Sequence, residues 1–312
     1  MSTILFECEY RGRRYAGLGT PGPGESVTLY AVSDGQLREA LVSGGPRALA
    51  DSVTSGAERV TVDGGDPEVR FLPPLLPTGG DSLLTGFMGT HRSKFPNPPA
   101  PDEEFNAPNW LIKGFGSWLR VQGEPLTVPA SAVALLEEPE VSLVYVNDEE
   151  GTPHYAGYSF ANDLNDIGLH LKNPWGWTPY AKLCDTSMTP WLFLGEPPRT
   201  ATGRIVIERD GVTAWEGDFS SGADSLFQRV PDMVGHLFSY PALRRPGLVN
   251  YLLLGSDKAS FHSGFRIADG DRVTFEVHSH GVELSNPVRF ADPVDPVEAI
   301  GPRPAVASAV GA

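Results

Sequence analysis

The sequence predicts a sheet-dominated protein in two parts: a small β-rich N-terminal module with one helical stretch, followed by a larger domain of short strands and turns. Three observations carry this prediction. From about residue 81 onward, strand-like segments alternate with Gly, Pro and Asn turns, and helical periodicity is scarce. The first 77 residues contain only one segment of helical spacing. Between the two parts, residues 72–80 hold three prolines and two glycines, the composition of an exposed boundary.

In chain order, residues 4–6 and 26–32 are strand-like, and residues 36–48 carry Leu37, Ala40 and Leu41, with Leu49 just beyond, at near-helical spacing. The intervening Gly17-Leu18-Gly19-Thr20-Pro21-Gly22 matches a dinucleotide-binding glycine pattern. Prolines and a strand follow it where that fold requires a helix, so a hairpin-type loop is expected. Residues 204–208 and 212–216 flank Asp210-Gly211, a dipeptide suited to the positive φ angles of a tight hairpin turn. Leu226, Val230, Met233, Val234 and Leu237 follow helical spacing, with Asp224 or Ser225 as a cap and Pro231 as a kink or restart. In the strand 272–277, Val273, Phe275 and Val277 share one face and Arg272, Thr274 and Glu276 the other. Residues 291–312 mix Pro, Ala and acids without periodicity and are expected to be a disordered tail.

Composition narrows the function classes. With 312 residues the chain can bury a substantial core, and its net charge of −15 disfavours nucleic acid and anionic membranes as partners. No apolar run approaches the roughly 18 residues that span a bilayer, and the first residues lack signal-peptide order, so a cytoplasmic location is expected. Cys8 and Cys184 are too few for a disulfide framework and are expected to be buried, inert thiols. No Gly-x-Ser-x-Gly elbow, His-Glu-x-x-His pair or Walker A loop occurs. His278 and His280 are placed for a transition metal but lack a third ligand nearby in sequence. Trp175, Trp177 and Trp191 are expected to pack, and Arg244-Arg245 to make a surface or interface ion pair.

The acidic stretch Glu137-Glu138-Pro139-Glu140 at the start of a strand carries the chemistry. Alone, a Glu-Pro-Glu tripeptide is an ordinary solvated turn. Strand side chains repeat every second residue, however, so Glu138 and Glu140 project together and Glu137 opposite. Two such carboxylates suit a hard cation such as Mg2+, which takes oxygen ligands and keeps open positions for a substrate.

The order of Glu138-Pro139-Glu140, a strand, residues 157–163 (Gly-Tyr-Ser-Phe-Ala-Asn-Asp), residues 181–185 (Ala-Lys-Leu-Cys-Asp) and Thr189-Pro190-Trp191 resembles the fumarylacetoacetate hydrolase superfamily. Gly255-Ser256, residues 269–277 and residues 284–288 resemble its closing segment, so the match spans roughly residues 81–290 in fixed order. Residues 84–91, 110–114 and 240–247 resemble the bacterial branch described as 2-keto-3-deoxy-sugar-acid dehydratases.

This resemblance implies an α+β fold built as a β-rich roll of mixed sheets, residues 78–290, behind a small N-terminal β-rich domain, residues 1–77. A homodimer is also implied. It further implies Glu138, Glu140 and Asp163 as ligands of Mg2+, or of Mn2+ or Ca2+, with Lys182 and His91 as catalytic groups. Lys113, Asp166, Thr189 and Ser256 would contact a small anionic 2-oxo acid. In this reading a 2-oxo acid loses a C3 proton to give a metal-stabilised enolate, with Lys182 as the base if burial and the nearby cation lower its pKa. Dehydration of a 2-keto-3-deoxy acid is the favoured outcome; the alternatives are C–C hydrolysis or decarboxylation of an acylpyruvate, or a non-catalytic ligand-binding homologue. Two departures count against hydrolysis of fumarylacetoacetate itself. Ile167, preceded by Asp166, stands where that family places an Arg four residues after the metal-binding Asp, and no His-x-x-Glu pair accompanies His91. The Pro-rich insert 95–101 is a further peculiarity of this chain.

Overall fold

In the computed structural model the described residues are 3–55, 58–77, 81–94 and 105–294. The insert 95–101, residues 78–80 of the boundary loop and the tail from 295 lie outside them.

The strand Pro139–Asn147 shows why this region reads as an almost continuous apolar run: it is covered on both faces. Val141 and Leu143 face one core, with Ile205, Ile207, Val273 and Phe275. Val144 and Val146 face another, with Leu37, Leu41 and Leu49 of the helix Asp34–Thr54. Helix, large sheet and second sheet thus form successive layers.

The large mixed sheet has 13 strands, with a path that runs through Arg59–Asp63, Ser26–Ala31, Arg13–Leu18, Thr3–Tyr10, Leu192–Leu194, Pro153–Asn162, Pro139–Asn147, Val249–Leu253, Ser82–Met88 and Asn109–Gly114. Val249–Leu253 and Ser82–Met88 run parallel, while Pro139–Asn147 and Pro153–Asn162 run antiparallel. The second sheet has five strands, in the order Val212–Ser221, Ala201–Arg209, Arg272–Val277, Val282–Phe290 and Leu126–Val128. Its first pair turns through Asp210 and Gly211, both at positive φ, as their sequence requires. Val273, Phe275 and Val277 are buried, in keeping with their alternation.

The N-terminal segment does not break away at residue 77. Thr3, Ile4 and Leu5 pair with Leu194, Phe193 and Leu192, which makes the first strand a continuation of the large sheet. Its helix, capped by Ser33 Oγ accepting from Gln36 N at 3.2 Å, buries its apolar stripe against strands on both sides of the sequence boundary. The helix extends beyond the predicted span and is broken at Gly45, φ 69°, because Pro46 lacks an N–H and disfavours helical geometry before it. Pro231 plays the opposite part. It sits in the first turn of Val230–Leu237, where its missing N–H costs nothing, so this helix starts there, and neither Asp224 nor Ser225 caps it. Gly19, at φ 98°, lies in the loop joining two antiparallel strands, as expected for a hairpin rather than a nucleotide loop.

Candidate metal centre

Glu138 and Glu140 enter at the start of Pro139–Asn147, and Asp163 follows the end of its antiparallel neighbour Pro153–Asn162. The register Pro139↔Asn162 and the bond from Asp163 N to Glu138 O at 3.1 Å bring the three side chains together. One oxygen from each lies within 4.8 Å of the others, and all three residues are buried. Glu137 projects the other way, where it accepts from Ser260 N at 2.6 Å and Ser260 Oγ at 2.8 Å.

Two buried ammonium groups face the triad. Lys182, which ends the short helix Thr178–Ala181, donates to Asp163 Oδ2 at 2.6 Å and to Glu138 Oε2 at 2.9 Å. Lys113, on Asn109–Gly114, donates to Asp163 Oδ1 and to the Leu164 carbonyl at 2.5 Å. Lys94 Nζ stands 3.6 Å from Glu138 Oε1, and Asn165 Nδ2 donates to Glu138 Oε2 at 3.0 Å. Glu140 accepts from Gly255 N at 2.5 Å.

The charges follow this layout. Burial opposes ionisation of Asp163, but Lys113 and Lys182 prevail and hold its carboxyl down at about 2. Burial, with Asp163 and Glu138 beside it, pushes Glu140 well above the usual carboxylate range. At Lys182 burial acts to lower the pKa, yet the charges of Asp163, Glu138 and Glu140 outweigh it and hold the ammonium above its ordinary value.

A cavity of about 130 Å³ opens onto this cluster. Glu138, Lys182, Lys94, Asn165, His170, Ser256 and His262 contribute polar wall; Phe87, Met88, Leu136 and Ile167 contribute apolar wall. Ile167 therefore makes apolar the ground where the resemblance implies an Arg. Of the residues implied as substrate contacts, Ser256 lines the cavity and Lys113 lies behind the triad. Thr189 is fully buried elsewhere, bonded to Ser159 Oγ at 2.8 Å. Asp166 is committed to backbone: it accepts from Val133 N, Ala134 N and Leu169 N at 2.9–3.0 Å and caps the helix Ile167–Lys172. His91 is wholly buried outside the cavity wall, between Thr90 Oγ1 at 3.2 Å and Ser221 Oγ at 3.4 Å. Burial, then the charge of Lys94, lowers its pKa to about 4, which keeps the ring neutral.

Lys94, Asn165, His170 and His262 escaped the sequence reading. Asn165, two residues beyond Asp163, had a local signal; the others are joined to the site only by the fold. The other features singled out in the sequence lie apart. His278 bonds Glu276 at 3.0 Å and His280 bonds Tyr158 at 3.2 Å, so the two rings do not converge. Trp191 packs against Phe6 and Phe71, whereas Trp175 is 98% exposed, contrary to the expectation of packing. Arg245 pairs with Asp81 at the surface, and both cysteines are buried, with burial raising Cys8 to about 12 and Cys184 to about 11. Among the described residues no helix is long and apolar enough to cross a membrane.

The donor set itself fits a divalent ion: three converging carboxylates, oxygen only, with Glu138 in the wall of the cavity. No protein-family model and no curated protein sequence matches the chain. Solved structures do. A 2-keto-3-deoxyarabinonate dehydratase superimposes with a TM-score of 0.68 at 16% identity, covering 93% of this chain and 100% of that one. A 2-keto-3-deoxy-D-arabinonate dehydratase complexed with magnesium and 2,5-dioxopentanoate gives 0.66 at 16% identity, with the same coverage. A 5-carboxymethyl-2-hydroxymuconate delta-isomerase from Mycobacterium smegmatis gives 0.59 at 17% identity, again covering 93% and 100%. At such identities the likeness speaks for the fold. The protein thus shares the fold of these dehydratase and isomerase structures.

Proposed function

We propose that the protein is a divalent-metal-dependent lyase that removes water from a 2-keto-3-deoxy acid. The observation that carries this reading is the buried triad Glu138, Glu140 and Asp163 with the Lys182 ammonium beside it at the floor of a small cavity. The neighbouring dehydratase that holds magnesium and a 2-oxo acid supports it.

A divalent ion held by the triad, Mg2+ in the first instance, would polarise the substrate's keto group and make the adjacent C–H acidic. The chain's own groups do the rest. Lys182 lines the cavity and serves as the base at C3 once its own proton has passed to solvent water, a loss that the charge of a bound dication would favour. The electron pair released from the C3–H bond expels the hydroxyl on C4, and Lys182 returns the proton to it, so one water leaves. Lys94 and His170 line the cavity and favour a substrate carboxylate, while Phe87, Leu136 and Ile167 exclude water from one side. His91 and Asp166 take no part in the chemistry, because their polar atoms are engaged away from the cavity.

Incubation with Mg2+ and a panel of 2-keto-3-deoxy acids and acylpyruvates, read by mass spectrometry, tests the proposal. The expected result is loss of one water from a 2-keto-3-deoxy acid. Fragmentation of an acylpyruvate into two acids would establish C–C hydrolysis instead, and an unchanged mass with a shifted double bond an isomerase. Metal binding with no conversion, and no proton exchange at C3, would leave a binding protein.

A further inference from the structure

We propose that Lys182 is a place-holder for the divalent cation: its ammonium competes with the ion for carboxylate oxygens and swings into the cavity when the ion binds. The inference rests on reading the triad as the metal-ligand set, and goes beyond it by assigning Lys182 a role in loading.

The argument is geometric. Lys182 Nζ bonds Asp163 Oδ2 at 2.6 Å and Glu138 Oε2 at 2.9 Å, so one ammonium bridges two of the three ligands. Those oxygens have little spare capacity. Glu138 Oε2 already accepts from Asn165, and the other oxygen of Asp163 is taken by Lys113. Asp163 thus has an ammonium on each oxygen, so an ion that takes it as a ligand draws on an atom that Lys113 or Lys182 holds, whereas Glu138 keeps Oε1, 3.6 Å from Lys94 Nζ, for the ion. The two lysines on Asp163 differ in their freedom to yield. Lys113 is anchored a second time by the Leu164 carbonyl at 2.5 Å and does not line the cavity. Among the described residues Lys182 has the two carboxylates as its hydrogen-bond partners, and it stands in the cavity wall with open volume to move into. Its ammonium does not hydrogen-bond Glu140, which among the described residues accepts from Gly255 N. A dication reaching all three carboxylates gains that third charge, which gives displacement its driving force. The displaced amine then lies on the substrate side of the ion, so loading and placement of the amine become one event.

A residue that merely supports metal ligands has the opposite signature. Removing such a support weakens metal affinity by about 10–100-fold, whereas removing a competitor tightens it. Mn2+ binding to the full-length protein, followed by electron paramagnetic resonance and calorimetry, separates the two. Lys182→Met is expected to bind Mn2+ about tenfold tighter than the wild type, the factor that corresponds to about 1.4 kcal/mol of competition removed. Equal or weaker binding would overturn the place-holder role. Lysine labelling of the wild type by acetic anhydride, mapped by mass spectrometry, needs no variant. Mg2+ should increase labelling of Lys182 and leave Lys113 unchanged; unchanged or reduced labelling of Lys182 would count against displacement. Failure of Mn2+ to bind either the wild type or Lys182→Met would remove the metal-site reading itself, and the place-holder with it. Binding to the wild type without tightening in the variant would remove only the latter.

Discussion

Glu137 and Asp163 are both buried carboxylates near the same strand end, and their surroundings differ in kind. Among the described residues Glu137 is answered by neutral donors, the N–H and hydroxyl of Ser260, and burial pushes its pKa up to about 7. Asp163 has an ammonium on each oxygen and is held at about 2 against the same burial. Dipoles of fixed geometry clamp a loop to a strand; they do not fully offset the desolvation of a charge. Full positive charges do offset it, and one cation can be exchanged for another. The neutral region is therefore a structural fastening, and the ionic region is where chemistry can occur.

Lys113→Met attacks the comparison hardest. It leaves Asp163 buried with one partner and is expected to cost about 3–5 kcal/mol of stability, measured by urea unfolding. A loss below about 1 kcal/mol would show that Lys113 is not the anchor of the ionic region.

His91, held by the neutral hydroxyls of Thr90 and Ser221 while the charge of Lys94 bears on it, gives a pH probe of the border between the two regions. Its folded pKa of about 4 lies below the unfolded value of 6.5, so the folded state resists the proton. Stability from this group is complete above about pH 6.5 and falls by about 3 kcal/mol as pH drops toward 4. His91→Asn should flatten that part of the pH–stability curve.

Asp163→Asn keeps the shape of the ionic region but removes its charge. Mn2+ affinity should fall about 100-fold, equivalent to about 2.7 kcal/mol, with the proposed dehydration of a 2-keto-3-deoxy acid lost alongside. Glu137→Gln is the matching change in the neutral region and the mildest of the four. It should cost about 1–3 kcal/mol through the Ser260 contacts while Mn2+ affinity stays within about threefold. A large loss of metal binding there would merge the two regions into one site.

Local rules made much of this legible in advance. The 210–211 hairpin, the alternation of residues 272–277 and the opposed projections of Glu137 and Glu138 all depend on backbone periodicity over a few residues, which sequence carries directly. The convergence of Glu138, Glu140 and Asp163 was reached through ordered motifs, and strand pairing supplies its cause. Other properties were decided only in three dimensions. Lys113 meets Asp163 across 50 residues of sequence, and Ser260 meets Glu137 across 123. The fold puts His91 behind the cavity wall and spends Asp166 on three backbone N–H groups. It also carries the first strand into the large sheet, across a boundary that composition alone suggested was a break. The physical reason is the same in each case. A side chain's type is written locally, but its protonation, its partners and its freedom to move are set by what long-range packing places within a few ångströms of it.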